Sequence, residues 1–569
     1  MSRRLRVSRA LWAGLVSAAL LLSSCAPAAA PASAPAPAAP SASSAPAAPA
    51  APAPSAPAAP TIRPTATPPP APPAGPSVKK GGILRQALWD APGNLDMLSA
   101  TSMISLAPLA LSYDGLVKDD PLKPGQIAPD LAERWTVSGD GTKVTFFLRK
   151  GVVFHNGKPF TSADAKYSVE RWMMDTEQLA PTLVTVIKSV DAPDAGTLVV
   201  NLNFPYPNLF RTLVMDWASV VPADQPKGKD IKEVVGTGPF KFKNFQSGVS
   251  YEVVRNDKYW NKELPHLDGV TTFFISDRNT GLAAFRAGRI DIFAPVYLTV
   301  PQHKIVDPQM KGEAIAYLFQ NSNWWNFYLP VNKKPWTDPR VRKAVFMAID
   351  RKQAVATIGQ GLGTWDGVVP PGLGGMSPDE LKNIPGWREP KSIDVDEAKK
   401  LLAEAGYPNG FKTDIFYRPG GDYLTTATFT RDQLTKIGIE ATISTRPGAA
   451  FYDFVYARSY ETQSARHVLA PAVPDTVLAQ YYRSGSARNF ADISDKKLDA
   501  LIDRQMSTAD PQESKRLLRE IETYLYDNAL ATVVAWTSPS QAWRKWVRDF
   551  TPGETIYHNV RLETVWLDK

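Results

Sequence analysis

The chain has 569 residues, which is too many for one core. We therefore expect two or three domains. The composition, with 44% hydrophobic and 21% charged residues, is ordinary for a globular protein. The formal net charge of +8 falls to +4 if Arg3, Arg4, Arg6 and Arg9 leave with an N-terminal signal, and this excess is too mild to indicate a nucleic-acid partner. Because Cys25 is the single cysteine, an intramolecular disulfide and a thiolate-cluster metal site are excluded.

Residues 1–24 are predicted to form a secretory signal peptide. A basic start precedes the apolar stretch Leu11–Leu22, which is too short to span a bilayer comfortably, and small residues lead to Cys25. The run Leu22-Ser23-Ser24-Cys25 resembles the bacterial lipobox, and this resemblance implies that Cys25 becomes the lipid-modified first residue of the mature chain. The alternative is an ordinary signal peptide with an incidental cysteine. We expect an extracytoplasmic or periplasmic protein that Cys25 anchors to the outer face of the cell membrane.

Residues 25–78 consist mostly of alanine, proline and serine, with no apolar periodicity. Such a segment cannot bury a core, so we expect a disordered tether. The many prolines favour an extended chain, and about fifty residues at about 3.1 Å each would reach roughly 150 Å. The tether would hold a folded domain away from the membrane.

Residues 79–318 are predicted to form a first lobe of short strands and helices. Strands are expected at Ile83–Ala87 and Thr197–Leu202, among others. The run Val235–Phe240 contains a glycine turn that enters a strand, and it lacks the spacing and the Lys-Ser/Thr pair of a phosphate-binding loop. Asp291 is predicted to be a turn-facing or capping acid.

The stretch Gln320–Arg351 is predicted to carry the chain from the first lobe into a second. It begins extended and aromatic, with Trp324 and Trp325 adjacent, and then becomes a helix. Asp338 is a favourable N-cap, and Pro339 suits the first helical position, where no backbone N–H is needed.

Residues 319–533 are predicted to form the second lobe, and residues 534–569 to return to the first. Asp394 followed by Glu397 resembles a capping box at the start of a helix. Alternating strands and helices after this point favour an α/β lobe. The two connections between lobes are expected near Leu318–Trp325 and Ala531–Ser540, where they would form a hinge.

Several segments resemble, in order, the solute-binding protein family 5, the peptide/nickel-type receptors of ABC importers. They are PDLAERWTVSGDG, FFLRKGVVFHNGKPFTSADAKYSVER, VGTGPFKF and VRNDKYWNKELPHLDGV, and the match continues through Asp338–Arg351, Ala398–Phe411 and Gln433–Ile439. The resemblance implies an α/β, two-lobed periplasmic-binding-protein fold of the large type II class. It also implies an extra subdomain in lobe I at about residues 114–223 and a hinge of two crossing strands. The implied partners are a small-molecule or peptide ligand and the permease subunits of an importer, and a monomer is expected.

The sequence offers no catalytic or metal-binding motif. The five histidines lack metal-ligand spacing, and neither HExxH nor GxSxG occurs. His155 is better explained by its turn than by catalysis. We therefore expect a receptor with no cofactor and no enzymatic activity, and a secreted hydrolase is the competing class.

Seven residues are predicted to bind the ligand. One of the adjacent tryptophans is expected to face the ligand while the other packs, although both could be core. In the family, an anchor segment follows the strand that here is expected to include Asp453–Tyr456, and peptide-binding members carry there a Trp and an Asp that pairs with the ligand's α-amino group. Here the acid's position falls on Thr462. The predicted set is Trp324, Trp325, Arg458, Tyr460, Glu461, Arg466 and His467.

The ligand class is left open by these residues. Tyr460 could replace the Trp, and Glu461 the acid only with a shift of one residue, while Arg458, Arg466 and His467 add positive charge. An oligopeptide or similar small organic solute is expected on family grounds. A neutral or anionic ligand, such as an oligosaccharide or an acidic peptide, is the alternative.

Overall fold

The computed structural model describes residues 77–100, 102–174, 180–295, 297–447, 449–557 and 561–569. The predicted signal peptide, the lipobox with Cys25 and nearly all of the tether lie outside these residues. In the described residues the strands are, in chain order, β1 (Ile83–Leu88), β2 (Val117–Asp120), β3 (Lys123–Pro129), β4 (Ala132–Val137), β5 (Lys143–Leu148), β6 (Ile187–Asp194), β7 (Thr197–Leu202), β8 (Phe240–Gln246), β9 (Ser250–Arg255), β10 (Gly269–Phe274), β11 (Ile292–Phe293), β12 (Ala314–Leu318), β13 (Asn323–Tyr328), β14 (Gly363–Thr364), β15 (Lys412–Tyr417), β16 (Glu440–Ser444), β17 (Thr462–Val468), β18 (Val533–Thr537), β19 (Ser540–Arg544), β20 (Val547–Arg548) and β21 (Trp566–Leu567).

The helices alternate with these strands. They are α1 (Met103–Leu109), α2 (Ser162–Met174), α3 (Ala180–Val186), α4 (Leu209–Leu213), α5 (Arg278–Arg286), α6 (Val300–Gln309), α7 (Pro339–Ala348), α8 (Arg351–Thr357), α9 (Pro378–Leu381), α10 (Ser392–Glu404), α11 (Tyr423–Thr435), α12 (Ala449–Tyr456), α13 (Pro474–Tyr481), α14 (Lys496–Ser507) and α15 (Pro511–Asp527).

Two mixed sheets organise the fold, and each defines a lobe. The first lobe contains a seven-stranded sheet in the order β12-β19-β11-β1-β10-β9-β8, in which β1 is parallel to both β10 and β11. The second lobe contains a six-stranded sheet in the order β14-β18-β13-β17-β15-β16. In that sheet β13 is antiparallel to both neighbours and buries all six residues, which makes it the centre of the second core.

An insertion separates β1 from the next strand of its sheet. It contains the hairpin β2–β3 and an antiparallel four-stranded sheet in the order β4-β5-β7-β6. On β5 and β7 alternate residues are buried, the period expected of a sheet with one face on a core. These strands lie within the range predicted for the extra subdomain.

The lobes are connected by two short chain segments that lie side by side. β12 ends at Leu318 and β13 begins at Asn323, while β18 ends at Thr537 and β19 begins at Ser540. The backbone N–H of Phe319 donates to the carbonyl oxygen of Pro539 at 2.9 Å, so the two segments are hydrogen-bonded to each other. The predicted end of the second lobe at residue 533 is therefore too early, because all of β18 pairs within the second sheet.

Local capping chemistry explains some helix starts and fails for others. Asp338 caps α7 as predicted, accepting a hydrogen bond from the Arg340 backbone N–H at 2.8 Å. The predicted capping box at Asp394 is wrong, because α10 begins at Ser392 and Asp394 is fully buried inside it. Its carboxylate instead accepts from Arg388 Nε at 2.6 Å and from the Gly386 N–H at 2.9 Å. Tertiary hydrogen bonds therefore determine the position of Asp394, although its spacing in the sequence resembles that of a helix cap.

Two further sequence expectations are corrected by packing. The segment Asp453–Tyr456 belongs to α12 and is not a strand. Phe451 and Val455 are four residues apart and both buried, so this segment buries a helical face, and the Phe451 ring stacks on Phe416 at 5.4 Å. Asp291, predicted to be a turn-facing or capping acid, pairs instead with a side chain of β1. It is fully buried, and Arg85 pairs with it at 2.8 Å.

A buried charge network, here called the C-terminal clasp, joins the end of the chain to the insertion. It consists of Asp114, Lys118, Asp130, Arg561 and Glu563. Arg561 Nη1 donates to Asp114 Oδ1 at 3.0 Å and to Asp130 Oδ2 at 2.7 Å, and Lys118 pairs with Glu563. Burial, followed by the nearby Asp130 carboxylate, raises the pKa of Asp114 to about 7.

Candidate functional site

A cavity of about 900 Å³ lies between the two lobes. The first lobe contributes Trp89 and Arg278, the second contributes Trp325, Tyr423 and Arg466, and the connecting segment Ser538–Ser540 also lines it. A concave, partly aromatic space with a few polar groups is typical of small-molecule sites. Its place beside both interlobe connections means that a hinge motion would open or close it.

The two adjacent tryptophans occupy different environments because successive residues of a strand point to opposite faces. Trp325 lines the cavity and packs edge-on against Tyr423, with ring centroids 5.1 Å apart. Trp324 is fully buried and packs on Trp536 and Tyr481, each at 5.2 Å. This is the arrangement of one lining and one packing residue that the sequence suggested, and ligand contact by Trp325 stays a prediction.

Arg466 and His467 reach the cavity from β17, which pairs with β13. The half-buried Arg466 guanidinium lies 5.3 Å from the Tyr423 ring centroid and 5.6 Å from that of Trp325. His467 Nε2 is 2.8 Å from the hydroxyl of Tyr328. Burial, reinforced by nearby arginines, lowers the pKa of His467 well below its ordinary value, so this imidazole is neutral at pH 7.

Three more arginines line the cavity, and each lies on a different segment. Arg278 begins α5 and lies 5.0 Å from the Trp89 ring centroid. Arg418 follows β15 and lies 5.8 Å from the Tyr423 centroid. Arg488 Nη1 donates at 3.2 Å to two neutral acceptors, Gln480 Oε1 and Tyr481 Oη.

The cavity wall is positively charged. Its ionised side chains are four arginines and two aspartates, Asp90 and Asp422, so positive charges exceed negative ones by two. Within the described residues, no ion pair is formed by Arg418, Arg466 or Arg488. Among the described residues, Arg418, Arg466 and Arg488 therefore offer cationic hydrogen-bond donors without a carboxylate partner, while Asp422 acts on Arg278.

The positive charge of the cavity wall lowers the pKa of the Tyr423 phenol. Burial acts to raise its pKa, but the guanidinium groups of Arg466 and Arg418 outweigh burial and lower the pKa overall. A buried tyrosine ordinarily shows the opposite shift.

The other four predicted ligand residues do not line the cavity. One of them is the packed Trp324 described above. Arg458 Nε donates to the Asn489 carbonyl oxygen at 3.1 Å, and the buried Tyr460 hydroxyl donates to the Phe490 carbonyl oxygen at 2.6 Å. The Glu461 carboxylate accepts from the Asp414 N–H at 2.9 Å. In this structure these side chains hold the second lobe together.

The lobes also touch away from the cavity. Asn208 of the insertion donates from Nδ2 to Asp475 Oδ2 on α13 at 2.9 Å, and Tyr206 lies beside the same carboxylate. Asp475 is fully buried, and burial raises its pKa. Lys304 Nζ of the first lobe donates to the Gln360 carbonyl oxygen of the second at 2.8 Å. The described conformation is therefore one in which the lobes are in contact.

Other kinds of site were sought in the described residues. No group of three or more histidine, cysteine or acidic side chains there could hold a metal ion. No helix in that part of the chain has the length and apolarity to cross a membrane. His155 is held by backbone, its Nε2 lying 3.0 Å from the Gly238 carbonyl oxygen, and burial lowers its pKa to about 4.

Sequence comparison gives one family and two kinds of relative. Residues 126–489 match the profile of the bacterial extracellular solute-binding proteins, family 5. Heme-binding protein A of Haemophilus influenzae is 27% identical over 448 residues, which are 71% of this chain and 78% of the relative. Glutathione-binding protein GsiB of Salmonella choleraesuis is 27% identical over 449 residues, which are 76% of this chain and 84% of the relative.

Structural comparison finds the same architecture. The periplasmic binding protein AgaA of A. tumefaciens R10, solved with agropinic acid, has a TM-score of 0.73 and 26% identity, and the alignment covers 86% of this chain and 99% of AgaA. DppA of Helicobacter pylori, solved with a peptide, has a TM-score of 0.73, 25% identity and the same coverage. The predicted two-lobed periplasmic-binding-protein fold is confirmed. Because the family profile spans more than half of the sequence, the chain belongs to family 5 of the bacterial extracellular solute-binding proteins.

Proposed function

We propose that this protein is the receptor of an ABC importer that captures an oligopeptide or a similar small organic solute and delivers it to the permease. The observation that carries the proposal is the cavity of about 900 Å³ that both lobes line beside their two connections. Ligand contacts available only when the lobes meet would favour the closed form. The permease would then recognise that form.

A peptide-like ligand is supported by polar groups on the cavity wall. Asn323 Oδ1, Gln463 Oε1 and Ser464 Oγ are buried on β13 and β17 and have no hydrogen-bond partner in the described part of the chain. Amide and carbonyl groups of a ligand would pair with them. The relatives bind glutathione, heme and peptides by their names and titles, so the family accommodates varied solutes.

The anchor for a ligand's α-amino group does not lie at the position where the resemblance placed it. Thr462 is fully buried, and its hydroxyl donates to the Asp414 carbonyl oxygen at 2.7 Å. Asp90 and Asp422 are the acids that line the cavity.

The receptor performs no chemistry on the solute in this proposal. Cavity-lining His467 is neutral, and its hydrogen-bond partner is the Tyr328 hydroxyl. Ser540 also lines the cavity and its Oγ lies 2.7 Å from His303 Nδ1, so hydrolysis is an outcome that the assay below measures.

The test is titration of the purified protein with peptide and oligosaccharide libraries, followed by tryptophan fluorescence and by mass spectrometry of the solutes. Saturable binding of peptides without turnover is expected. Binding confined to oligosaccharides would replace the peptide assignment, and hydrolysis of any bound solute would overturn the receptor assignment.

Membrane attachment through Cys25 is part of the proposal. A monomeric receptor on a long Ala/Pro-rich tether would stay near its permease while it samples the surrounding space. Metabolic labelling with palmitate should label the wild-type chain and not Cys25→Ser. Equal labelling of both would refute the lipid anchor.

A further inference from the structure

We propose that the cavity selects anions, namely small organic solutes that carry at least two carboxylate or phosphate groups. This inference rests on the receptor function proposed above and names the ligand class of the same site. It is based on four arginines that converge from four segments of both lobes on one enclosed space.

Arg488 gives the first reason. It is half-buried at the cavity wall, and its recorded hydrogen bonds go to a neutral amide oxygen and a phenol. Its charge is thus removed from much of the solvent without a carboxylate partner. Charged groups in such positions are normally paired, because burying an isolated charge is costly. A ligand oxyanion would supply the missing partner.

Arg418 and Arg466 give the second reason. Their guanidinium groups lie 5.8 and 5.3 Å from the centroid of the same Tyr423 ring. Both also act on the Tyr423 phenol, so they place positive charge around one ring of the cavity wall. An oxyanion beside that ring would accept charge-assisted hydrogen bonds, and the fork of a guanidinium suits a planar carboxylate or a phosphate.

Arg278 extends the positive wall to the opposite lobe. It stands over Trp89 and Tyr297, with centroid distances of 5.0 and 4.9 Å, and faces the same cavity as the second-lobe arginines. An anion with two charged groups could therefore engage both lobes at once. Such contacts exist only when the lobes are together, so the ligand would favour closure.

The acids of the cavity do not cancel this field. Asp90 and Asp422 are both exposed, and Asp90 Oδ1 already accepts the neighbouring Ala91 N–H at 2.8 Å. Asp422, from the second lobe, acts on Arg278, where its charge opposes the lowering of the pKa by burial. The second-lobe arginines keep their charge for a ligand.

The test is calorimetric titration of the full-length chain with solutes that are matched in shape but not in charge. The pairs are triglutamate against triglutamine, and fructose 1,6-bisphosphate against fructose, with citrate as a compact trianion. We expect at least one anion to bind, and at least about 100-fold more tightly than its neutral counterpart. The two pairs distinguish carboxylate from phosphate. Absence of binding by every anion, or equal binding of a neutral counterpart, overturns the proposal.

Single arginine substitutions test whether the arginines of the cavity cause the preference for anions. Arg418→Gln and Arg466→Gln should each weaken anion binding about tenfold to a hundredfold, and Arg466→Lys should recover part of the loss. Arg458→Gln is the matched control, because this half-buried arginine of the same lobe lies outside the cavity. Thermal melting checks folding, and exposed Arg418 makes no ion pair with the described residues whose loss would unfold the chain.

The outcomes separate this inference from the receptor function. If neutral peptides bind and the arginine variants bind them like wild type, anion selection fails and the receptor assignment stands. If no peptide, sugar or anion binds, both fail. If Arg458→Gln loses as much affinity as Arg466→Gln, the loss does not report on the cavity and the proposal is overturned.

Discussion

Breaking the C-terminal clasp at one residue, by Arg561→Met, should strongly destabilise the folded chain. Arg561 is 12% exposed and pairs with the fully buried Asp114 and Asp130, while Lys118 is the other cation of the network. Methionine keeps much of the volume but leaves three carboxylates facing one lysine. Removing one partner of a buried ion pair costs about 3–5 kcal/mol, because the remaining charge is left uncompensated. We expect a loss of that size in the free energy of unfolding, measured by urea denaturation followed by circular dichroism.

The matched control is Arg516→Ala on α15. Arg516 also pairs with two carboxylates, at 2.7 Å with Glu513 and at 2.9 Å with Glu520, but its side chain is 52% exposed. Exposed pairs contribute about 0–1 kcal/mol. Adding Asp130→Asn to Arg561→Met should restore part of the loss, since it removes a carboxylate that has lost its partner. A loss below about 1 kcal/mol for Arg561→Met, equal to the control, would refute the reasoning.

Three further predictions concern pH and packing. Because the folded-state pKa of Asp114 is raised to about 7, its contribution to stability should be fully present below about pH 4 and lost as the pH rises to about 7, and Asp114→Asn should flatten this part of the pH–stability profile. The pKa of Asp475 is raised where the lobes touch, so closing takes up a proton; ligand affinity should fall as the pH rises above about 4, and less so in Asp475→Asn. Trp325→Phe weakens the edge-on contact with Tyr423 that shapes the cavity wall, worth about 0.5–1.5 kcal/mol, and should weaken ligand binding about twofold to tenfold, whereas Trp324→Phe should lower stability with little effect on affinity. Equal affinity losses in the two tryptophan variants, or pH profiles like wild type in the two aspartate variants, would contradict these expectations.

The architecture could be predicted because its signals are local and numerous. Segments such as PDLAERWTVSGDG carry turns and buried strand residues whose order along the chain identifies the family. The α7 start was also predictable, since Asp338 and Pro339 act within one helical turn. The extra subdomain was expected from the family resemblance alone, and its bounds stay a prediction.

The cavity could be predicted only in part. Trp325, Arg466 and His467 could be predicted to lie at the site, because the aromatic segment of β13 and the family's anchor segment next to β17 both indicated them. Arg278 and Arg488 were not, because each sits in a separate stretch with no motif around it and only the packing of the two lobes brings them together.

Residues with strong local patterns were sometimes misassigned for a related reason. Asp394 has the spacing of a cap, yet the buried pairing with Arg388 determines its place. Tyr460 and Arg458 lie in the family's anchor segment, yet their polar atoms bond to backbone carbonyls of residues 486–490. Tertiary hydrogen bonds of this kind leave no periodic trace in a sequence.

The most direct test of the account is small-angle X-ray scattering of the protein with and without a saturating amount of a solute identified by titration. Closure of two lobes about the segments at residues 319–322 and 538–539 predicts a smaller radius of gyration with the solute present. Profiles that coincide, with calorimetry showing full occupancy, would contradict the claim that the lobes close over what they bind.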